Sequence, residues 1–393
     1  MEQNRHKIGV VGTGFISRGF VKSLRHHADL ELSKVLSRRD PSTCSEFPSP
    51  DAITNSAAEL IENSDLIVEC SGDVVHATEV IHEAVQAGKP VVTMDAEFHV
   101  TTGSWFAGKG YVSEAEGDQP GCLAALYENV LQMGFRPLVL GNVKGFQDKN
   151  PSRESMEFWS EKQGISLEMV TSATDGTKIQ YEQALVANGF GADIFDGGMM
   201  GAESDDLYAS AEELAVKAKA HGRCVSDFVV IPKSPYRVFI VGEHDEDQWD
   251  ALEYYKFGEG PFFVIPTTNI LCHFEIVKTI RRALAGGPVL LDNSATPRIS
   301  IAAVAKRNLK RGHKIEHALG NFDIRGEAVR ILEAPDHAPM GLLNGAVLEA
   351  DLEAGQSIEF SDVTIPESLA LTAWGGILER CKQAGNGPVA TAA

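Results

Sequence analysis

Three ionisable residues stand at the head of an uncharged run. In 171-TSATDGTKIQYEQALVANGFG-191, Asp175, Lys178 and Glu182 precede ten residues, Gln183 to Ala192, that carry no charge. On a helix starting near Asp175, the three fall within an arc of about 60°. Asp175 or Thr174 would cap it, and Lys178 with Glu182 forms an i,i+4 pair. A capped helix with a surface ion pair has this pattern. So does a buried helix whose polar end faces a cleft, where a desolvated Lys beside carboxylates can act as acid or base. The uncharged continuation favours burial.

Three further groups could join it. In 141-GNVKGFQD-148, Lys144 and Asp148 follow a strong apolar run; in 116-EGDQPG-121, Asp118 enters a helix, either as a cap or as a functional carboxylate; 95-DAEFH-99 holds Asp95, Glu97 and His99. All follow strand ends or open helices. In an open α/β sheet such positions converge on the edge where ligands bind.

The elements that would position them alternate. Residues 7–12, 30–37, 65–72, 90–94 and 137–143 read as strands, with helices over 12–24, 75–88 and 121–134 between them. That is a parallel sheet with right-handed crossovers. From about 210 to 300 the pattern mixes short strands such as 237–242 with a helix over 269–285. Beyond 299, the stretches 301–316 and 347–365 echo one another, which suggests a small β-rich unit with two similar corners. The expectation is an α/β protein: a Rossmann-type parallel sheet at 1–140, a central α+β catalytic and oligomerisation domain at 141–298, a small C-terminal β-rich domain at 299–381 and a flexible tail at 382–393.

Gly12-x-Gly14-x-x-Ser17 lies where a dinucleotide fingerprint should, after a strand and opening a helix. Gly12 permits the turn, Gly14 admits a pyrophosphate, and the helix N-terminus supplies N–H donors. Phe15 and Ile16 follow in the same loop. At the end of the second strand an NAD site usually has an acidic residue, whereas here the chain reads 36-LSRRD-40. Ser37, Arg38 and Arg39 could cradle a 2′-phosphate, so NADP is favoured over NAD; two solvated arginines are the alternative. Ser71 and Gly72 would border the nicotinamide side.

The 393 residues carry a formal charge of −20, which argues against a nucleic-acid or anionic-membrane surface. Six scattered cysteines without CxxC pairs suggest neither zinc nor a disulfide framework. No apolar run approaches spanning length and no signal h-region precedes the first strand, so a cytoplasmic location is expected.

GVVGTGFISRGF, EGDQPG, GNVKGFQD and TDGTKIQYEQALVANGFG together resemble the homoserine-dehydrogenase-like oxidoreductases with a C-terminal SAF domain, a group that includes 1-deoxy-D-xylulose-5-phosphate reductoisomerase-like enzymes. The motif 301-IAAVAKRNLKRGHKI-315 is similar to the opening of the SAF domain. The resemblance implies that Gly12 and Gly14 carry the cofactor. It also implies that Lys144 or Lys178, with Asp118, Asp175 and Glu182 as acidic partners, serves hydride transfer on a small polar substrate in a homo-oligomer. Where the family has Asn-x-Glu-x-Asp, this chain has Asp95-Ala-Glu97-Phe-His99. Where the family has Arg-Pro-Tyr-His, it has 267-TTNI-270 before 271-LCHFE-275. The second change removes a phosphate or carboxylate contact and argues against a phosphorylated substrate. Two alternatives stand beside this reading. One is a reductoisomerase-like enzyme holding a divalent metal through Glu97, Asp118, Asp175 and Glu182. The other is a non-enzymatic NADP(H)- or sugar-sensing protein.

Overall fold

A computed structural model describes residues 5–385. The first layer is a six-stranded parallel sheet in the order β3-β2-β1-β4-β5-β6. Its strands are β1 (His6–Val11), β2 (Leu30–Leu36), β3 (Ile53–Thr54), β4 (Leu66–Glu69), β5 (Val91–Thr93) and β6 (Val112–Glu114). The central β4 and β5, LIVE and VVT, are buried throughout, as strands covered on both faces are, whereas β2, LELSKVL, is half-buried along its middle. The helices between them are α1 (Phe15–Leu24), α2 (Ala57–Glu62), α3 (Val74–Gln86) and α4 (Ala96–Thr101). Side chains at Ser56, Asp73 and Asp95 cap α2, α3 and α4 by accepting N–H bonds. Two short strands, β3 and β6, lie outside the five strand segments read from the sequence.

α5 (Gln119–Gln132) leads to a second sheet, of mixed direction, in the order β11-β10-β7-β9-β8. Its members are β7 (Arg136–Lys144), β8 (Ala202–Glu203), β9 (Val225–Val230), β10 (Val238–Glu243) and β11 (Phe263–Thr267). Around it lie α6 (Arg153–Gln163), α7 (Leu167–Thr174), α8 (Thr177–Phe190), α9 (Leu207–His221) and α10 (Trp249–Tyr254), whereas α11 (Ile276–Leu284) packs back into the core of the first sheet. The helix expected over 269–285 begins only at Ile276, because 272–274 form a separate 3₁₀ turn.

The C-terminal region is antiparallel. β12 (Ile299–Ala305) pairs with β14 (Ile324–Arg330), while β13 (Lys314–Ile315), β15 (Ala346–Leu348) and β16 (Val363–Thr364) form a three-stranded sheet. The two echoing segments lie against each other: Lys314 is opposite Val347, and Leu309 and Leu352 exchange backbone hydrogen bonds of 2.9 Å. This region does not stand apart. Ile299, Ile301 and Ala328 share one core with Ala96 and Val100 of α4 and with Tyr181, Ala184 and Leu185 of α8. The last helix, α12 (Leu369–Gly385), returns to pack on α3. It carries 382–385 of the expected flexible tail, and 386–393 lie outside the described residues. Among the described residues, no helix is long and apolar enough to cross a membrane.

Candidate active site

α8 is buried along nearly its whole length, from Thr177 to Asn188. The surface-ion-pair alternative for Lys178 and Glu182 therefore does not describe it. The Glu182 carboxylate, fully buried, accepts a 3.0 Å hydrogen bond from Lys144 Nζ and another of 3.0 Å from Asn142 Nδ2. Lys144 is the last residue of β7, and Asn142 lies two positions back on the same face. The second ammonium, on Lys178, lies 3.4 Å from Glu182 and 3.6 Å from Asp118. Lys144 is thus locked by hydrogen-bond geometry, whereas Lys178 hangs between two carboxylates at longer range.

Asp118 holds the N-cap position of α5, yet its side chain makes no capping bond, unlike Asp73 and Asp95 at the corresponding positions of α3 and α4. Its carboxylate is committed to Lys178 instead. Burial pushes Asp118 up to about 6 despite the pull of that ammonium. Burial would also draw Lys178 down, but Asp118, Glu97 and Glu182 outweigh it and hold the amine well above its ordinary value. Behind this pair, burial also raises Glu69, Asp95 and Glu114. The site is therefore an acid-rich cluster around two lysines.

The segment before α11 connects this cluster to the fingerprint. Cys272, in a left-handed conformation at φ 49°, feels the charges of Asp118 and Lys178. Gly117, at φ 114°, lacks the Cβ that would collide with the Cys272 carbonyl. Next to it, the His273 ring closes on α1 so tightly that a Cβ at Gly19 would lie 2.6 Å away, and it meets the exposed Phe15 edge-on at 6.4 Å.

The fingerprint itself fits a dinucleotide. At Gly12 (φ 101°) a Cβ would lie 2.8 Å from the Cys70 carbonyl oxygen, while Gly14 faces open space. Gly14 is the N-cap of α1 and makes no side-chain cap, so the first-turn N–H groups are free for a pyrophosphate. Ser17 is fully buried, as close helix–strand packing requires, and Ile16 is partly buried against the sheet core. Beside the end of β2 a cavity of about 600 Å³ is lined by Ser37, Arg38, Asn55 and His76 among others. Arg38 pairs with Asp73 at 2.7 Å, and Arg39 reaches back to the Thr13 hydroxyl of the fingerprint loop. The Asp40 carboxylate is turned to Ser42. Ser71 and Gly72 lie behind Gly12, whose absent side chain leaves room for the Ser71 backbone.

Two family sequence models match the chain: "Homoserine dehydrogenase, NAD binding domain" over residues 12–102 and "Oxidoreductase DRL, catalytic domain" over residues 117–276. The chain is an NAD(P)-dependent oxidoreductase with a homoserine-dehydrogenase-type nucleotide-binding domain. Neither match extends past residue 276 into the C-terminal region. No curated protein matches the sequence. Among solved structures, the oxidoreductase resembles UDP-N-acetylglucosamine 3-dehydrogenase of Acidithiobacillus ferrooxidans at 13% identity, over 74% of this chain and 92% of that one, with a TM-score of 0.41. It resembles a Bacillus cereus oxidoreductase at 11% identity, over 74% and 92%, with a TM-score of 0.40. A Thermotoga maritima oxidoreductase is 19% identical over 38% of this chain and half of its own length, with a TM-score of 0.28.

The structure of this oxidoreductase brings Lys144, Lys178, Asp118 and Glu182 together, and sets Asp175 apart. α8 starts at Thr177, because Gly176 breaks the chain at φ 90°; Asp175 closes the preceding helix instead. Its carboxylate accepts from the Thr177 N–H and, at 2.7 Å, from Lys306 of the C-terminal region, so it touches neither candidate lysine. Of the proposed metal set Asp175 stands apart, while Glu97, Asp118 and Glu182 gather about the Lys178 ammonium. Asp118 and Glu182 serve Lys178, Asp175 serves Lys306, and no group of three or more His, Cys, Asp or Glu side chains among the described residues is arranged to hold a metal ion. Sequence reasoning missed Asn142, Glu114 and Cys272. Asn142 had one available signal, namely a polar residue near the end of a strand with an apolar centre.

Proposed function

We propose that the oxidoreductase is NADP-dependent and acts on a carbonyl or hydroxyl carbon of a small polar substrate, polyhydroxylated or amino-acid-like. The observation that carries the reading is Lys178, suspended between Asp118 and Glu182 within an acid-rich cluster that one short segment joins to the cofactor cradle. The nicotinamide, when bound, supplies or takes up the hydride. The chain's own residues handle the proton. Lys178, cationic at neutral pH, donates to the carbonyl oxygen during reduction. In oxidation it passes a proton to Asp118 as it takes one from the substrate hydroxyl. Glu182 positions Lys178, while Lys144 and Asn142 hold Glu182. The acid-rich lining suits hydroxyl or ammonium groups better than a phosphate dianion.

NADP is favoured because Ser37, Arg38 and Arg39 follow the end of β2, where the Asp40 carboxylate is already bonded to Ser42 and Asp73 is paired with Arg38. The test is NADPH oxidation against a panel of phosphorylated and unphosphorylated ketones and aldehydes, in wild type and in Lys178→Met. Lys178→Met should lose more than about a hundredfold in kcat. Full activity in that variant would overturn the assignment.

A further inference from the structure

Glu69, Thr93 and Glu114 are the last residues of three adjacent parallel strands and lie in one register row. The first two are satisfied: Glu69 accepts from the Ser71 N–H at 2.6 Å and from the Thr93 hydroxyl at 2.9 Å. Glu114 is not. It is wholly buried, and neither carboxyl oxygen has a hydrogen-bond partner among the described residues. The nearest polar group is His99 Nε2 at 3.6 Å, on a ring that is itself 1% exposed and has both nitrogens unpartnered. Buried polar groups left this way are uncommon and call for an explanation in function.

An ionised carboxylate without donors is costly in such a place. Burial, followed by the neighbouring charge of Asp118, therefore holds the Glu114 carboxyl well above its ordinary value and favours its protonated form, and burial pushes His99 down to about 3, so the ring is neutral. The loop between Glu114 and Asp118 is drawn tight. Gly121, in the first turn of α5, lacks the Cβ that would collide with the Ala115 carbonyl, so α5 seats directly on the end of β6.

We propose that Glu114 and His99 form an interior proton store for Asp118 and Lys178, used while substrate and cofactor fill the cleft. This rests on the reading of Lys178 as the proton-handling residue. In reduction the product oxygen takes a proton from Lys178, Lys178 regains one from the Asp118 carboxyl, and Asp118 regains one from Glu114. The resulting Glu114 carboxylate accepts a hydrogen bond from His99, and solvent restores its proton once the cleft opens. In oxidation Glu114 already holds its proton, so the proton taken from the substrate hydroxyl stops at Asp118 until the cleft opens. Glu114 acts through Asp118 and touches no substrate, so it is a positioning and supplying residue. The ionisable groups facing it are Asp118, Lys178, Asp95, Glu97 and His99.

The test has an arm that needs no turnover. Infrared difference spectra of the wild type against Glu114→Gln at neutral pH should show a protonated-carboxyl stretch present only in the wild type; identical spectra in that region would overturn the proposal. With substrate, Glu114→Gln should lower kcat about tenfold, leave KM unchanged and alter the solvent deuterium isotope effect, and Glu114→Asp should restore part of the rate. Unchanged kcat and isotope effect would also overturn it. If Glu114→Gln fails to fold, His99→Gln reads the same pair: the carboxyl stretch should shift, and an unshifted stretch refutes the pairing. The Lys178 assignment fails separately, through the kinetics of Lys178→Met.

Discussion

α8 has two ends, and they treat buried polar groups in opposite ways. At its C-terminal end Asn188 uses every hydrogen-bonding site it has. Its amide donates to Asn293 and to the Ile299 carbonyl at 2.8 Å, and its oxygen accepts from the Arg298 and Ile299 N–H groups at 2.8 and 2.9 Å. Asp193, just beyond, is held by Arg298 at 2.8 Å and Arg330 at 3.1 Å. At the N-terminal end Lys178 sits 3.4 and 3.6 Å from its partners, and an oxygen of Asp118, an oxygen of Glu182 and the Tyr181 hydroxyl have no hydrogen bond. Saturated buried networks rigidify and specify a fold. An unsaturated one, in the same helix and at the same depth, keeps donors and acceptors available for something that binds. The uncharged run from Gln183 to Ala192 begins just after the first group and contains Asn188.

This contrast can be broken by mutation. Lys178→Met should have the largest effect, a loss of roughly 10²–10⁴-fold in kcat with an unchanged unfolding midpoint, measured by steady-state kinetics beside urea denaturation. Asn188→Ala should do the reverse. It strands two backbone N–H groups and should cost about 1–3 kcal/mol of stability, with kcat per folded molecule preserved; a catalytic defect without a stability change would erase the distinction between the two ends. pH sharpens the N-terminal side. Asp118 must be ionised to accept a proton, so kcat/KM for oxidation should rise as pH passes through about 6, and Asp118→Asn should abolish that limb. The smallest effect lies away from α8. Arg38→Ala combined with Arg39→Ala should reduce the NADP:NAD preference by about tenfold, and an unchanged ratio would refute the 2′-phosphate role.

Much of this was legible in the chain. The β/α alternation and the glycines at 12 and 14 announce the first sheet, and Lys144 declares itself by ending a strand. Lys178 and Glu182 are marked by their spacing and by the silence that follows them. Asp175 misled because its spacing fits the same face, while the helix it would cap begins two residues later; local pattern carries no information about the turn that Gly176 makes. Its real partner, Lys306, lies 131 residues away. Glu69 and Glu114 become neighbours of one row only through strand register, which depends on pairings that no single segment encodes. Asn142 was hidden for a simpler reason, as one polar residue inside a strand looks like noise until Glu182 is seen beside it.

The C-terminal strands close over the first turns of α8. The Gly326 N–H donates to the Thr177 hydroxyl at 2.9 Å, and the Ala328 N–H donates to the Gln180 side chain at the same distance, across 149 and 148 residues. During synthesis the helix bearing Lys178 therefore leaves the ribosome long before the strand that completes it. For that interval the nascent chain can carry the paired strands of the parallel sheet while the helix with Lys178 still lacks its cover. Chains terminated before residue 324 should accordingly retain cofactor binding yet turn over no substrate.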